Sequence, residues 1–195
     1  MQFDPRLFAV VLATLAGAAA AQPPVAPAAR SATTVADDGT DPNVKRDVAH
    51  YNLDKSGLAI QGYDPVAYFP EGGGKPALGK KGLEYRYRGV TYRFASQANL
   101  DAFKKDPAKY EPAHGGWCSS AMADGGRKVE IDPKAYKLTN GRLFLFYTSL
   151  ITDARSFWNK DEPKNTRDAD GHWKKISGED PRKPAAKPAE APPKG

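Results

Sequence analysis

The sequence predicts a small α+β domain in which short β-hairpins pack with short helices, set between two disordered tails. Three observations carry this. Two stretches alternate apolar and polar side chains around turn residues, segments with helical spacing follow each of them, and Pro and Ala crowd both ends, where apolar periodicity is lost. At 195 residues, 40% hydrophobic and 27% charged, the chain can build one packed domain and is too short for a large multidomain enzyme.

Residues 1–21 hold Arg6, an almost unbroken apolar run over 7–20, and Ala19-Ala20-Ala21 before Gln22, the pattern of a cleaved signal peptide. The run is shorter than the roughly 20 residues that cross a hydrocarbon layer. The expectation is a periplasmic or secreted protein whose mature chain has no transmembrane segment. Residues 22–49 read as a disordered N-terminal linker and 178–195 as a disordered Pro/Ala/Lys-rich tail, because neither can bury enough apolar surface to offset ordering. The domain is expected over 50–177. That segment carries 21 Lys and Arg against 15 Asp and Glu, hence the whole +6 of the chain. Its cations are scattered rather than gathered on one element with aromatics, which argues against a nucleic-acid partner.

Within the domain, Asp64-Pro65 reads as a helix start, with Asp64 as N-cap and Pro65 at the first helical position. Tyr63, Tyr68 and Phe69 would then be core, or the Tyr63 hydroxyl and Asp64 carboxylate would face Cys118 as proton partners. Alternation over 83–87 and 90–94 about Arg88-Gly89 predicts a hairpin, and Ser96 offers an N-cap for a helix carrying Leu100 and Phe103 that Asp106-Pro107 ends. A second hairpin runs from Tyr136 through Asn140-Gly141 to Tyr147. Helical pattern returns over 152–159 and 168–176, with Phe157, Trp158 and Trp173 as packing residues.

Chemistry is concentrated in His114-Gly115-Gly116-Trp117-Cys118-Ser119-Ser120-Ala121-Met122. Cys118 is the only cysteine in the chain and so has no internal disulfide partner, which in an oxidising compartment calls for an explanation. If Gly115-Gly116 opens a helix, Cys118 sits in its first turn, where unpaired N–H groups and the helix dipole favour a thiolate. His114, Cys118 and Met122 are spaced by four, so on a continuous helix they would form a soft donor set suited to copper(I). The glycine pair interrupts that register. No phosphate-binding loop and no Cys-x-x-Cys motif occurs.

Four blocks in order resemble the YHS domain of exported bacterial proteins. They are Gly62-Tyr63-Asp64-Pro65-Val66-Ala67-Tyr68-Phe69; Tyr85-x-Tyr87-x-Gly89-x-x-Tyr92-x-Phe94; Phe103 with Asp106-Pro107-x-x-Tyr110-x-Pro112; and Gly115-Gly116-Trp117-Cys118. The resemblance runs over residues 57–173 and continues through Asp132-Pro133, Leu145, Tyr147 and Trp173. In similar proteins the position of Trp117 is usually Tyr. The resemblance implies a small YHS/TRASH-like fold more than a mechanism. Some related proteins carry selenocysteine at the position of Cys118, which implies redox or metal chemistry there, and YHS domains elsewhere are associated with metal handling.

Three readings follow. In the first, Cys118 is an accessible redox-active thiol that cycles through sulfenic acid or a mixed disulfide and needs an external thiol. In the second, Cys118, His114 and Met122 hold copper in a binding module without turnover. In the third, the domain is a scaffold that packs against a partner protein with Cys118 buried.

Overall fold

A computed structural model describes residues 46–182. The expected signal peptide and most of both expected tails lie outside the described residues. The architecture is α+β, built on two antiparallel hairpins with short helices around them. Both hairpins form where turn chemistry requires. β1 (Glu84–Tyr87) pairs with β2 (Val90–Arg93) so that Tyr87 faces Val90, leaving Arg88-Gly89 as a two-residue turn with φ of 47° and 96°. β3 (Asp132–Thr139) pairs with β4 (Arg142–Phe146) about Asn140-Gly141, with φ of 53° and 71°. Positive φ at both central residues gives a turn whose twist matches the strands it joins.

Helix ends follow local capping. α1 (Gln97–Lys105) starts at Ser96, whose hydroxyl accepts from the Asn99 N–H, and α2 (Pro107–Tyr110) starts at Asp106, which caps Lys109. α3 (Ser119–Ala123) and α4 (Arg155–Trp158) are single turns, and α5 (Glu162–Ser177) is the longest helix described. The helix expected over 152–159 is thus shorter. The one expected over 168–176 begins earlier, because Asp161 accepts from the Lys164 N–H and Pro163 suits the first turn. The helix expected at Asp64-Pro65 is instead a succession of turns followed by a 3₁₀ turn at Pro70–Gly72.

The core is aromatic. Phe103 of α1 is fully buried, with ring centroids at 6.1 Å from Tyr87, 4.9 Å from Tyr92, 5.2 Å from Phe94 and 6.3 Å from Tyr110. Trp158 is equally buried against Phe144 and Phe146 of β4, at 5.1 and 5.6 Å. Tyr68 and Phe69 are core as expected, while Tyr63 is partly buried. Phe157, expected to pack, is 55% exposed, because the single turn of α4 can turn only one of its two aromatics inward.

The fold also extends past both expected ends of the domain. Glu111, just after α2, is buried and accepts from Arg46 on both carboxylate oxygens, 3.0 Å from Nη1 to Oε2. It also pairs with Arg182 Nη2 at 3.0 Å and accepts from the Tyr92 hydroxyl at 2.6 Å. Burial alone would raise the Glu111 carboxyl, but the Arg182 and Arg46 guanidiniums and the hydrogen bonds from Arg46 and Tyr92 outweigh it and hold the group below the usual range. Removing one member of a buried ion pair strands the others. Glu111→Gln is therefore expected to cost about 3–5 kcal/mol, read as a lower urea midpoint at unchanged slope, whereas Phe157→Ala should move stability by less than about 0.5 kcal/mol.

Candidate functional site

The segment from Pro112 to Met122 is laid along the outer edge of β4, where Pro112 bridges to Leu143 and Cys118 bridges to Leu145, both in parallel. It begins with a 3₁₀ segment, Ala113–Gly116, in which His114 and Gly115 take left-handed backbone with φ of 55° and 60°. The φ at Gly115 suits glycine, and the position also lacks room for a side chain: a Cβ there would overlap the Trp173 ring of α5. Trp117 donates its indole N–H to the His50 carbonyl at 2.6 Å, so the ring keeps a polar anchor without a phenol hydroxyl. Cys118 is the N-cap residue of α3. Its N–H donates to the Val129 carbonyl at 3.0 Å, and its carbonyl accepts from the Met122 N–H at 2.9 Å.

Cys118 is a free cysteine, as its uniqueness in the chain dictates, but it is not on the open surface: it is 1% exposed. This corrects the expectation of a freely accessible thiol. The residue instead contributes to the wall of a cleft of about 530 Å³ between α3, the 147–158 segment and the start of α5. Ala121, Ala154 and Trp158 give this cleft apolar walls, and Tyr147 and Phe157, 37% and 55% exposed, stand among its outer residues.

The other expected site residues are directed elsewhere. Asp64 is fully buried and accepts four hydrogen bonds: Oδ1 from the N–H groups of Val66 and Ala67, Oδ2 from the Ala95 N–H and from Asn99 Nδ2. A carboxylate so occupied fastens the Tyr63-Asp64-Pro65 turn to the start of α1. Tyr63 bridges to Leu78. Neither contact involves Cys118, and the proton-partner reading of Tyr63 and Asp64 draws no support from this arrangement.

His114 is likewise engaged. Its Nδ1 lies 3.1 Å from Ser119 Oγ and its Nε2 lies 3.0 Å from Asp170 Oδ1, while Arg142 holds Asp170 through two hydrogen bonds of 2.9 and 2.7 Å. Both ring nitrogens are therefore occupied. Because His114 lies outside α3 on left-handed backbone, His114, Cys118 and Met122 do not share one helical face, and no group of three His, Cys, Asp or Glu side chains suited to a metal occurs among the described residues. The continuous helical face on which the spacing would set these three donors does not form. Among the described residues no helix is long and apolar enough to cross a membrane.

The Ser119, His114, Asp170 and Arg142 chain has a consequence for stability. Burial lowers the His114 pKa below its ordinary 6.5. The hydrogen bond and charge of Asp170 oppose this without reversing it, and the positive charges of Arg142 and Arg182 add to the lowering. A folded-state pKa below the unfolded one gives stability that is complete above the unfolded value and is lost as pH falls toward the folded one. Asp170, held below 3.8 despite its burial by His114 and Arg142, titrates only in a more acidic window. Melting temperature is expected to fall between about pH 7.5 and pH 5.5, and the fall should shrink in His114→Gln; equal slopes in the two proteins would contradict this.

The YHS domain family model matches residues 75–114. No curated protein and no solved structure matches the chain. The matched stretch takes in the β1–β2 hairpin, α1, α2, Glu111 and His114 and stops before Cys118 and the cleft. Residues 75–114, which hold the β1–β2 hairpin, α1 and α2, thus match the YHS domain model and are consistent with a YHS domain-containing protein.

Proposed function

We propose that this is an exported YHS-domain protein that acts through the cleft beside Cys118, with the Cys118 thiol as its redox-active group. The observation that carries the reading is the position of the sole cysteine in the wall of a cleft of about 530 Å³, within the usual size range of small-molecule sites. At 1% exposure the thiol is closed to large partners, and the reading requires that small reagents reach it from the cleft side. The apolar run over residues 7–20 followed by Ala19-Ala20-Ala21 supports export.

The chemistry proposed is oxidation by a hydroperoxide and reduction by external thiols. The Cys118 thiolate attacks the outer peroxide oxygen, the O–O bond breaks, a sulfenate forms and the alkoxide leaves as alcohol after taking a proton. An external thiol then condenses with the sulfenic acid, releasing water and giving a mixed disulfide, and a second thiol displaces that disulfide and restores Cys118. The chain has no second cysteine, so both reducing thiols must come from outside. The YHS family's association with metal binding favours the copper alternative, but that reading requires His114 to give up Asp170 or Ser119 first.

Iodoacetamide is expected to label Cys118 in the native protein, and dilute hydroperoxide to add one oxygen there, with neither product in Cys118→Ser. Filling the cleft by Ala121→Phe should slow labelling by about tenfold or more while the protein stays folded. Labelling that appears only at urea concentrations that unfold the chain would sink the proposal.

A further inference from the structure

The surface charge of the chain and the charge of its cleft do not agree. The chain carries a formal +6, yet the charged residues that line the cleft are Arg127 and Lys164 against Asp124 and Asp168, which cancel. They are also paired with one another. Arg127 bonds Asp124, and Lys164 lies 2.6 Å from Asp168 one helical turn away on α5. The remaining polar groups are mostly spent on the fold: Ser120 donates to the Ala154 carbonyl at 2.7 Å, and Asn165 donates to the carbonyls of Phe157 and Trp158 at 3.2 and 3.0 Å. What is left to meet a ligand is apolar wall, the Cys118 position, the Tyr147 ring and the face of Phe157 turned away from Lys160, whose Nζ lies 5.1 Å from that ring.

We infer that the cleft binds a neutral, largely apolar aromatic small molecule, held by Phe157 and Tyr147 near its entrance and by apolar wall next to Cys118. This deepens the proposed function and rests on that reading only for the role of the thiol. An anion finds no net charge among the residues lining the cleft, whose two cations each have a carboxylate beside them, and it loses its hydration on entering an apolar space. A neutral aromatic gives up little hydration and gains stacking or edge contacts with two rings that the fold leaves half exposed. Aromatic side chains are costly to leave in water, and their exposure around a concave site is expected where a ligand covers them. The inference thus names a ligand class that the net charge of the protein would not suggest.

The test uses the full chain with two probes of the same skeleton, neutral N-phenyl-1-naphthylamine and its anionic 8-sulfonate analogue, followed by fluorescence. The neutral probe is expected to bind saturably at one site, at least about tenfold more tightly than the sulfonate, and to slow iodoacetamide labelling of Cys118. Phe157→Ala, which leaves the core intact, should weaken the neutral probe by about fivefold, and Tyr147→Ala should act in the same direction. Tighter or equal binding of the sulfonate, or an unchanged affinity in both variants, would overturn the inference. If the neutral probe fails to bind while native Cys118 is still labelled, the ligand class falls and the thiol reading stands. If the probe binds as expected while Cys118 is labelled only on unfolding, the redox reading falls and the ligand site stands.

Discussion

The described structure turns on one buried carboxylate. Glu111 has essentially no exposure, and a charge in that position is tolerated only when it is paired and its lone pairs are filled. Arg46, Arg182 and Tyr92 fill them, drawing together a residue from each end of the described chain and one from the first hairpin. Tyr51 extends the arrangement, with the Arg46 guanidinium 4.5 Å from its ring and its hydroxyl donating to Glu179. Such a pairing does little for net stability relative to an apolar core, but it is intolerant of partial loss, and so it determines which parts of the chain must be present together.

A second constraint sets the candidate site. Gly115 allows the Trp173 ring to lie directly against the backbone, and His114 joins α3, through Ser119, to α5, through Asp170. With α5 docked there and the 112–118 segment held along β4, Cys118 is fixed by backbone hydrogen bonds on both sides. The cleft lies where α3, the 147–158 segment and the start of α5 meet.

The donor atoms that looked like a metal set are separated in role by the same geometry. His114 is a structural link with both nitrogens in use, Met122 is fully buried and its carbonyl accepts from His172, and Cys118, itself buried, is the one of the three among the residues lining the cleft. A spacing of four residues places side chains on one face only while the backbone stays helical. Left-handed backbone at His114 and Gly115 ends that relation one turn before Cys118.

The α+β class, both hairpins, the cap at Ser96, the end of α1 at Asp106-Pro107 and the unpaired state of Cys118 were legible in the sequence, whereas the Asp106 cap of α2 was not. Arg88-Gly89 and Asn140-Gly141 admit the positive φ of a two-residue turn, Ser96 supplies an oxygen to a nearby N–H group, and a single cysteine excludes an internal disulfide. These are decisions made within a few residues by backbone sterics and local hydrogen bonding. Glu111 gave no such signal, since its partners are remote in the chain and a lone Glu in a polar stretch resembles any surface carboxylate. The burial of Cys118, the occupation of Asp64 and His114, the outward turn of Phe157 and the neutral cleft were decided only by tertiary packing. Each depends on which distant segments fill the space around it, and no local pattern of residues encodes that.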